Sequence, residues 1–263
     1  MAEPILIHEQ RGKVAVLTLN RPAALNALSD AMLAAMAAAF AELAQDRSVK
    51  VVILRGAGRA FCAGHDLKEM QAARSAADRG AGYFAALFAR CSAVMLAIRA
   101  LPQPVIAEVQ GVAAAAGCQL VASCDLAVAA HDARFAVNGV NIGLFCSTPM
   151  VALSRNIAAK PALEMLLTGE MISAARAQEL GLVNRVAASG QLSADTMALA
   201  EKIAAKLGPA VRIGKRAFYD QIELEEAAAY RLASAAMVEN MLWRDTDEGV
   251  NAFLAKRAPD WPE

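Results

Sequence analysis

Short apolar runs and segments with helical spacing alternate through the first part of the chain. Such runs are typical of buried strands, and the helical spacing is typical of helices with one apolar face. Ser29 is placed to cap a helix over 30–45. From Ser193 onward the spacing is helical throughout. The pattern therefore predicts an α/β region followed by an all-α region that begins near residue 190.

The predicted elements follow directly from this spacing. The strands are predicted at 5–8, 13–19, 49–55, 104–109, 125–129, 134–137 and 183–186. The helices are predicted at 30–45, 115–124, 148–157, 160–167, 173–180, 193–207, 209–222, 224–244 and 246–256. Between the loop at 56–66 and Arg99 the pattern is also helical, with an interruption around 79–82. Residues 71–83 have the least regular pattern and could form a mobile flap.

The stretch 110–125, QGVAAAAGCQLVASCD, joins a predicted strand to a predicted helix. Gly111 ends the strand, and the alanines that follow leave the backbone accessible. The free N–H groups at a helix start carry partial positive charge, which suits a developing oxyanion. The same small residues would also serve a helix that only packs closely against a sheet. This stretch by itself leaves both interpretations open.

A second stretch, 56–70, repeats the order of strand, small-residue loop and helix start. Its sequence is GAGRAFCAGHDLKEM, and Asp66 is a candidate N-cap for the helix that follows. Two such turns could direct two backbone N–H donors toward one oxygen atom. The pair of stretches therefore favours an oxyanion-binding site.

Composition excludes several classes of protein. The chain has 263 residues and a formal net charge of +0, which argues against nucleic acid as the main partner. No apolar run of about 18 residues lacks a charge, so no membrane insertion is expected. The first ten residues lack the basic and apolar regions of a secretory signal, which favours a cytoplasmic location.

The cysteines are odd in number and form no CxxC pair. They are Cys62, Cys91, Cys118, Cys124 and Cys146. Reduced, buried thiols fit this pattern better than disulfides or a metal site. The chain also has no zinc-ligand spacing and no glycine-rich nucleotide fingerprint, so no metal is expected.

Five segments resemble the crotonase (enoyl-CoA hydratase/isomerase) superfamily in residue type, order and spacing. They are LNRPAALNALS at 19–29, GRAFCAGHDLKEM at 58–70, VQGVAAAAGCQLVASCDLAVA at 109–129, LLTGEMISAARAQELGLVNRV at 166–186 and DTDEGVNAFLAKR at 245–257. The segment GVNIGLFCSTP at 139–149 adds a resemblance to the branch called enoyl-CoA hydratase domain-containing protein 3. Together the segments extend over nearly the whole chain.

The resemblance implies an α/β crotonase (ClpP-like) fold, a spiral of ββα units followed by a C-terminal helical trimerisation region. It places the acyl-CoA-binding spiral core in residues 1–190 and the helical oligomerisation region in residues 191–263. A homotrimer or a dimer of trimers is expected. The reason is that Phe253 and Lys256 match positions that reach the nucleotide of a neighbouring subunit in many crotonases.

The resemblance also implies an oxyanion hole made by the backbone N–H groups of His65 and Ala116. Their target would be the thioester carbonyl oxygen of an acyl-CoA, where charge develops as an enolate forms. Crotonase hydratases activate water with two glutamates, and the matching residues here are Gln119 and Gly139. Glutamine cannot take a proton at neutral pH, although it can hydrogen-bond a water. Hydration is therefore expected to be weak or absent.

The CoA moiety is expected to contact two loops and the last helix. The expected residues are Ala23, Ala24, Leu25, Ala63, Gly64, Asp66, Leu67, Lys68, Phe253 and Lys256. A lysine on a helix is more often a solvated charge, and only the motif context assigns Lys68 and Lys256 to CoA. Asp66 has the alternative role of a helix cap. No cofactor beyond the CoA moiety of the substrate is expected.

Two side chains offer alternatives to the missing glutamates. His65 could act as a base through its imidazole, or it could contribute only its backbone N–H. Cys146 could be a nucleophile or a buried structural thiol. The resemblance places Cys146 in the acyl pocket with Asn138, Asn141 and Ser147.

Several functions are compatible with these residues. The first is an enzyme of the hydratase/isomerase type that stabilises a thioester enolate. The second is another reaction of the superfamily, such as decarboxylation or thioester hydrolysis. The third is a non-catalytic or regulatory protein that binds acyl-CoA.

Overall fold

A computed structural model describes residues 3–261 of the chain. Its strands are β1 (Leu6–Arg11), β2 (Val14–Leu19), β3 (Val51–Gly56), β4 (Val105–Val109), β5 (Val112–Ala114), β6 (Leu126–Ala130), β7 (Arg134–Ala136), β8 (Ile172–Ser173) and β9 (Arg185–Ala187). Its α-helices are α1 (Asp30–Gln45), α2 (Leu67–Ala73), α3 (Ala81–Ala100), α4 (Ala116–Ser123), α5 (Pro149–Leu153), α6 (Ala159–Thr168), α7 (Ala174–Leu180), α8 (Leu192–Ala204), α9 (Gly208–Gln221), α10 (Glu226–Met241) and α11 (Arg244–Leu254). The predicted order of elements is confirmed, with shifts of a few residues at their ends.

The strands form two sheets. The larger sheet has the order β1-β2-β3-β4-β6-β9, and only its β1–β2 pair is antiparallel. The smaller sheet has the order β5-β7-β8, with β5 parallel and β8 antiparallel to β7. Sequence analysis missed β5 and β8 because segments of three and two residues are too short for an alternating pattern to be detected.

Apolar side chains on both faces of the larger sheet are buried, which explains why its central strands are nearly continuous apolar runs. All six residues of β2 are buried, and the side chains of successive residues pack on opposite faces. On one face, Leu17 and Leu54 pack into the main core with α1, α3 and α4. On the other face, Val16 and Ile53 pack into a smaller core that includes residues of α8.

The predicted cap and apolar face of α1 are confirmed. The Ser29 side chain accepts a hydrogen bond from the Met32 N–H at 3.2 Å, and the helix begins at the next residue. Its buried residues include Leu33, Met36 and Phe40, as the spacing predicts. Burying this face against the sheet is what stabilises the helix, since its interior residues are mainly alanine.

The four C-terminal helices differ in how they attach to the rest of the chain. α8 packs against the larger sheet through Leu199, Ala200 and Ala204. α10 has no buried residue, and its main neighbour is α9. The division into regions 1–190 and 191–263 therefore stays a prediction, since α8 contributes to the core of the α/β region.

Among the described helices, α3 is long and apolar enough by length and composition to cross a membrane. The core helix of a soluble protein passes the same test. Here Leu87, Cys91, Val94, Met95 and Ile98 of α3 are buried in the main core. The helix therefore contributes to the packing of the protein interior, as its predicted apolar face indicates.

Candidate active site

Most of the predicted site residues lie around one cavity of about 650 Å³. Its walls come from segments 21–27, 63–70, 115–116 and 138–149, together with Phe88 of α3. The predicted residues that line it are Ala23, Ala24, Leu25, Ala63, His65, Asp66, Leu67, Lys68, Ala116 and Gly139. Segments far apart in the sequence therefore form a single pocket.

Asn26 fixes the first wall of this cavity. Asn26 and its neighbour Leu25 have φ values of 54° and 50°, in the left-handed region. The buried Asn26 side chain accepts a hydrogen bond from the Arg21 N–H and donates to the carbonyl groups of Ala57 and Ala60, all at 2.8–2.9 Å. Sequence analysis did not single out Asn26. The sequence signal that could have identified it is that asparagine tolerates positive φ better than most residues do.

Backbone pairing with Leu28 orients the N–H of His65. The two residues form a parallel bridge. The Leu28 N–H donates to the Gly64 carbonyl at 2.8 Å, and the Asp66 N–H donates to the Leu28 carbonyl at 3.4 Å. Because these bonds involve the residues on either side of His65, its own N–H is not used in the pairing.

The N-terminus of α4 supplies the second predicted donor. Ala116 is the first residue of the helix, so its N–H is one of those without a partner inside the helix. Ala115 before it has φ 49° and ψ −116°, a conformation that is unfavourable for a residue with a Cβ. The Ala115 N–H donates to the Ala136 carbonyl at 2.9 Å, which ties the helix start to β7.

Glycines bring the two donor loops into contact. A Cβ at Gly117 would collide with the carbonyl group of Cys62, so only glycine permits this approach. Cys62 also forms a parallel bridge with Ala113. Gly64 has φ 101°, and a Cβ there would lie 3.1 Å from the Ala114 carbonyl oxygen. The two predicted N–H donors are therefore held on adjoining loops that both line the cavity.

His65 lines the cavity, but the nitrogens of its imidazole ring are buried. It packs edge-on against Phe88, with ring centroids 5.6 Å apart. Both ring nitrogens are occluded, and neither has a hydrogen-bond partner within residues 3–261. Burial lowers the pKa of His65, and the Leu28 carbonyl and the Asp30 carboxylate oppose that shift. The ring is thus neutral at pH 7, and its enclosed nitrogens favour a backbone role for this residue.

Asp66 caps α2 and forms an ion pair. Its side chain accepts a hydrogen bond from the Lys68 N–H at 3.1 Å and lies 3.1 Å from the Arg21 guanidinium. Burial raises the pKa of Asp66, but Arg21 and the backbone N–H groups of Lys68 and Glu69 together hold it below its usual value. Asp66 is the one carboxylate among the described residues that line the cavity, and it is ionised and already bonded.

Gly139 lines the cavity at a position where a side chain does not fit. A Cβ would collide with the Leu144 carbonyl and would lie 2.8 Å from the Cys146 Sγ. The Gly139 N–H also donates to that sulfur at 3.3 Å. Burial raises the pKa of the Cys146 thiol, which supports the structural interpretation of this cysteine.

Gln119 does not line this cavity. It faces a second cavity of about 460 Å³ between α3, α4, α5 and α9. Gln119 is 4% exposed, and its Oε1 has no hydrogen-bond partner in the described part of the chain. It lies one turn after Ala116 on α4, and Thr148 lines both cavities. Ala116 would act through its backbone N–H, whereas Gln119 would act through its side chain, and Gln119 lines the second cavity.

Phe253 and Lys256 lie away from the cavity in the single chain. Phe253, near the end of α11, is 82% exposed and lines a separate cavity between C-terminal helices. Lys256 follows the helix with φ 54°. Gly64 is buried behind the cavity wall. Gly64, Phe253 and Lys256 were expected to contact CoA, but they do not line the cavity of the single chain.

The comparison with known proteins identifies the family. A family model described as enoyl-CoA hydratase/isomerase matches residues 9–263. The chain belongs to the enoyl-CoA hydratase/isomerase family.

Relatives of this family resemble the chain over nearly its whole length. The human enoyl-CoA hydratase domain-containing protein 3, mitochondrial, is 49% identical over 245 residues, which cover 93% of this chain and 79% of that protein. The short-chain-enoyl-CoA hydratase of Clostridium acetobutylicum is 34% identical and covers 96% and 95% of the two chains. A crystal structure of an enoyl-CoA hydratase from Mycobacterium smegmatis has 56% identity and a TM-score of 0.95, with coverage of 98% and 99%.

These comparisons confirm the predicted family and its crotonase fold. Among the described residues, no group of three or more His, Cys, Asp or Glu side chains could hold a metal ion. The five cysteines are free and buried. The oligomeric state and the roles of individual residues stay predictions. The cytoplasmic location also stays a prediction, and the name of the human relative places that protein in mitochondria.

Proposed function

We propose that this enoyl-CoA hydratase/isomerase family member acts on acyl-CoA thioesters and stabilises the enolate through the backbone N–H groups of His65 and Ala116. The observation that carries the proposal is the contact of the two donor loops through Gly117 and Cys62. Donors fixed in this way need no rearrangement as charge develops on the thioester oxygen. His65 and Ala116 line the same cavity as the segments that are expected to bind CoA.

CoA binding is proposed at the mouth of the same cavity. Ala23, Ala24 and Leu25 would contact CoA with their backbone, and the exposed Lys68 would pair with a phosphate. Phe253 and Lys256 would complete the site from a neighbouring subunit of a trimer or hexamer. The exposure of Phe253 in the single chain supports that role.

The identity of the lining residues bears on the reaction. Hydration needs a group that exchanges protons with water, and such a group typically contributes about 10²–10⁴-fold to the rate. Gly139 has no side chain, Gln119 faces the second cavity, and Asp66 is bound to Arg21. Hydration is therefore expected to be slow compared with that of family members that carry both glutamates.

Decarboxylation is the second candidate because it needs no base at the reacting carbon. In a malonyl-type thioester, the bond between the α-carbon and the carboxylate breaks and CO₂ leaves. The bonding electrons then form the enolate, which the two N–H donors stabilise and which a proton from water converts to the product. The absence of an unpaired carboxylate among the described lining residues favours this reaction over hydration.

The first experiment compares two substrates under the same conditions. Hydration of crotonyl-CoA is followed by loss of its enoyl thioester absorbance, and decarboxylation of malonyl-CoA by mass spectrometry of the product thioester. Binding of acetyl-CoA is measured alongside by thermal shift. We expect binding together with turnover of at least one substrate. Binding without any turnover would favour a non-catalytic acyl-CoA-binding protein. Fast hydration would overturn our conclusion that replacement of the two glutamates by Gln119 and Gly139 impairs hydration.

A further inference from the structure

A fourth cavity, of about 800 Å³, lies between the loop after α1, the end of α3, α9 and the end of α10. None of its lining residues lines the candidate active site. Its cationic lining residues are Arg47, Arg99, Arg212, Lys215 and Arg216. Its acidic lining residues are Asp220 and Glu239. The chain has a net charge of zero, so this excess of positive charge is local.

Three of these arginines have no acidic partner among residues 3–261. Lys215 is neutralised by Asp125 at 2.7 Å, and Arg216 lies 3.7 Å from Asp220. Within the described range, no ion pair or hydrogen bond is formed by the guanidinium groups of Arg47, Arg99 or Arg212. The cavity therefore holds three positive charges whose counterion is not supplied by the described residues.

An aromatic ring holds one of the three arginines in place, and the other two repel each other. The Arg99 guanidinium stacks over the Tyr219 ring, 4.4 Å from its centroid. Burial lowers the pKa of Arg212, and the charge of Arg47 lowers it further. Like charges held close together without a counterion are unfavourable, and an anion between them would remove that repulsion.

We propose that this cavity is a binding site for a phosphate-bearing small molecule of nucleotide size. Guanidinium groups bind phosphate oxygens through two parallel hydrogen bonds. Three arginines from separate elements line this one cavity. Pro102, Pro209 and Trp243 provide flat apolar surface beside the arginines, which suits the body of such a ligand. The volume of the cavity is in the range of ordinary small-molecule sites.

The test uses inorganic pyrophosphate as the probe, titrated by calorimetry at constant ionic strength. The wild-type protein is expected to bind it and to gain thermal stability. Arg47→Gln and Arg212→Gln each remove a charged donor, so the dissociation constant is expected to rise about tenfold to hundredfold.

Two control variants separate this site from other sources of affinity. Arg185→Gln removes an exposed arginine of β9 that lies outside the cavity, and it is expected to leave pyrophosphate binding unchanged. Lys68→Gln weakens any binding of pyrophosphate at the proposed CoA site, and binding at the arginine-lined cavity is expected to persist in this variant. Equal affinity in the wild type and in both cluster variants would overturn the proposal. So would loss of binding in Lys68→Gln.

A second copy of the chain is the competing occupant. An acidic surface of a neighbouring subunit could pair with the same arginines. In that case Arg47→Gln and Arg212→Gln would lower the mass measured by light scattering, and the wild-type oligomer would not bind pyrophosphate. That result would overturn the proposal while leaving the acyl-CoA activity intact.

Discussion

Ala115 adopts a backbone conformation that glycine would adopt without cost. Its φ of 49° and ψ of −116° are unfavourable by about 1–3 kcal/mol for a residue with a Cβ. The conformation turns the chain between β5 and α4, and its own N–H is bonded to Ala136. This strain sets the direction of the N–H that follows it, which is the proposed second donor.

Replacing Ala116 by proline removes that N–H at a helix position that tolerates proline, and it also adds strain at Ala115, because the residue before a proline is confined to extended backbone. Loss of one oxyanion donor typically costs about 2.7–4 kcal/mol in the transition state. We expect Ala116→Pro to lower kcat by about 10²–10³-fold on whichever substrate is turned over. Ala116→Gly keeps the donor and serves as the matched control. An unchanged kcat in a folded Ala116→Pro protein would show that this N–H has no catalytic role.

His65 links stability to pH because burial lowers its pKa below the usual 6.5. Between the folded-state pKa and 6.5, the unfolded chain binds the proton more readily than the folded chain does. The free energy of unfolding should therefore fall as the pH is lowered below 6.5. Urea unfolding between pH 5 and 8 is expected to show that fall, and His65→Gln should reduce it. His131→Gln, an exposed histidine, is the control.

The substitution Gly139→Glu tests whether the glutamate of crotonase hydratases can be restored at this position. A Cβ at this position would collide with the Leu144 carbonyl. Overpacking of this kind typically costs about 1–3 kcal/mol. We expect Gly139→Glu to lower Tm and to give no gain in crotonyl-CoA hydration. A stable variant that hydrates crotonyl-CoA faster than the wild type would contradict this account of the turn.

At the scale of elements, a buried polar cluster docks α9 onto the core. Lys215 of α9 donates to Asp125 at 2.7 Å and to the carbonyl groups of Ile98 and Gln103 at 3.0 Å. Tyr219, one turn later, donates to the other Asp125 oxygen at 2.8 Å. The Lys215 side chain is only 7% exposed, so its charge depends on the Asp125 carboxylate.

Removing Asp125 leaves that lysine buried without a counterion. Breaking a buried ion pair in this way typically costs about 3–5 kcal/mol. Asp125→Ala is therefore expected to lower the free energy of unfolding by about that amount. Tyr219→Phe loses a single hydrogen bond and should cost about 1 kcal/mol. Chemical denaturation of both variants measures the difference, and equal losses would show that the carboxylate is not the main contact.

At the scale of the whole molecule, the C-terminal helices expose many large apolar side chains. The most exposed are Tyr230, Met237, Leu242, Phe253 and Leu254, from 63% to 82%. Extended apolar surface of this kind is typical of an interface between subunits. We expect light scattering to give a mass of three or six times 27.6 kDa. A monomer at micromolar concentration would contradict the expected trimer and the shared CoA site.

The sequence by itself determined the features that depend on neighbouring residues. The caps at Ser29 and Asp66 follow from one polar residue placed before a helical pattern, and both are present. The two small-residue turns were also visible, because strand, glycine and helix signals are consecutive in the chain. The family resemblance followed from the same local segments, and it is confirmed over residues 9–263.

Only the tertiary structure decided which side chains meet. The direction of Gln119 depends on how α4 packs, so its place in a second cavity could not be predicted from its motif. The arginines of the fourth cavity come from positions 47, 99 and 212, and no local pattern relates them. Local spacing specifies helices, strands and turns, whereas contacts between distant segments depend on the packing of the whole chain.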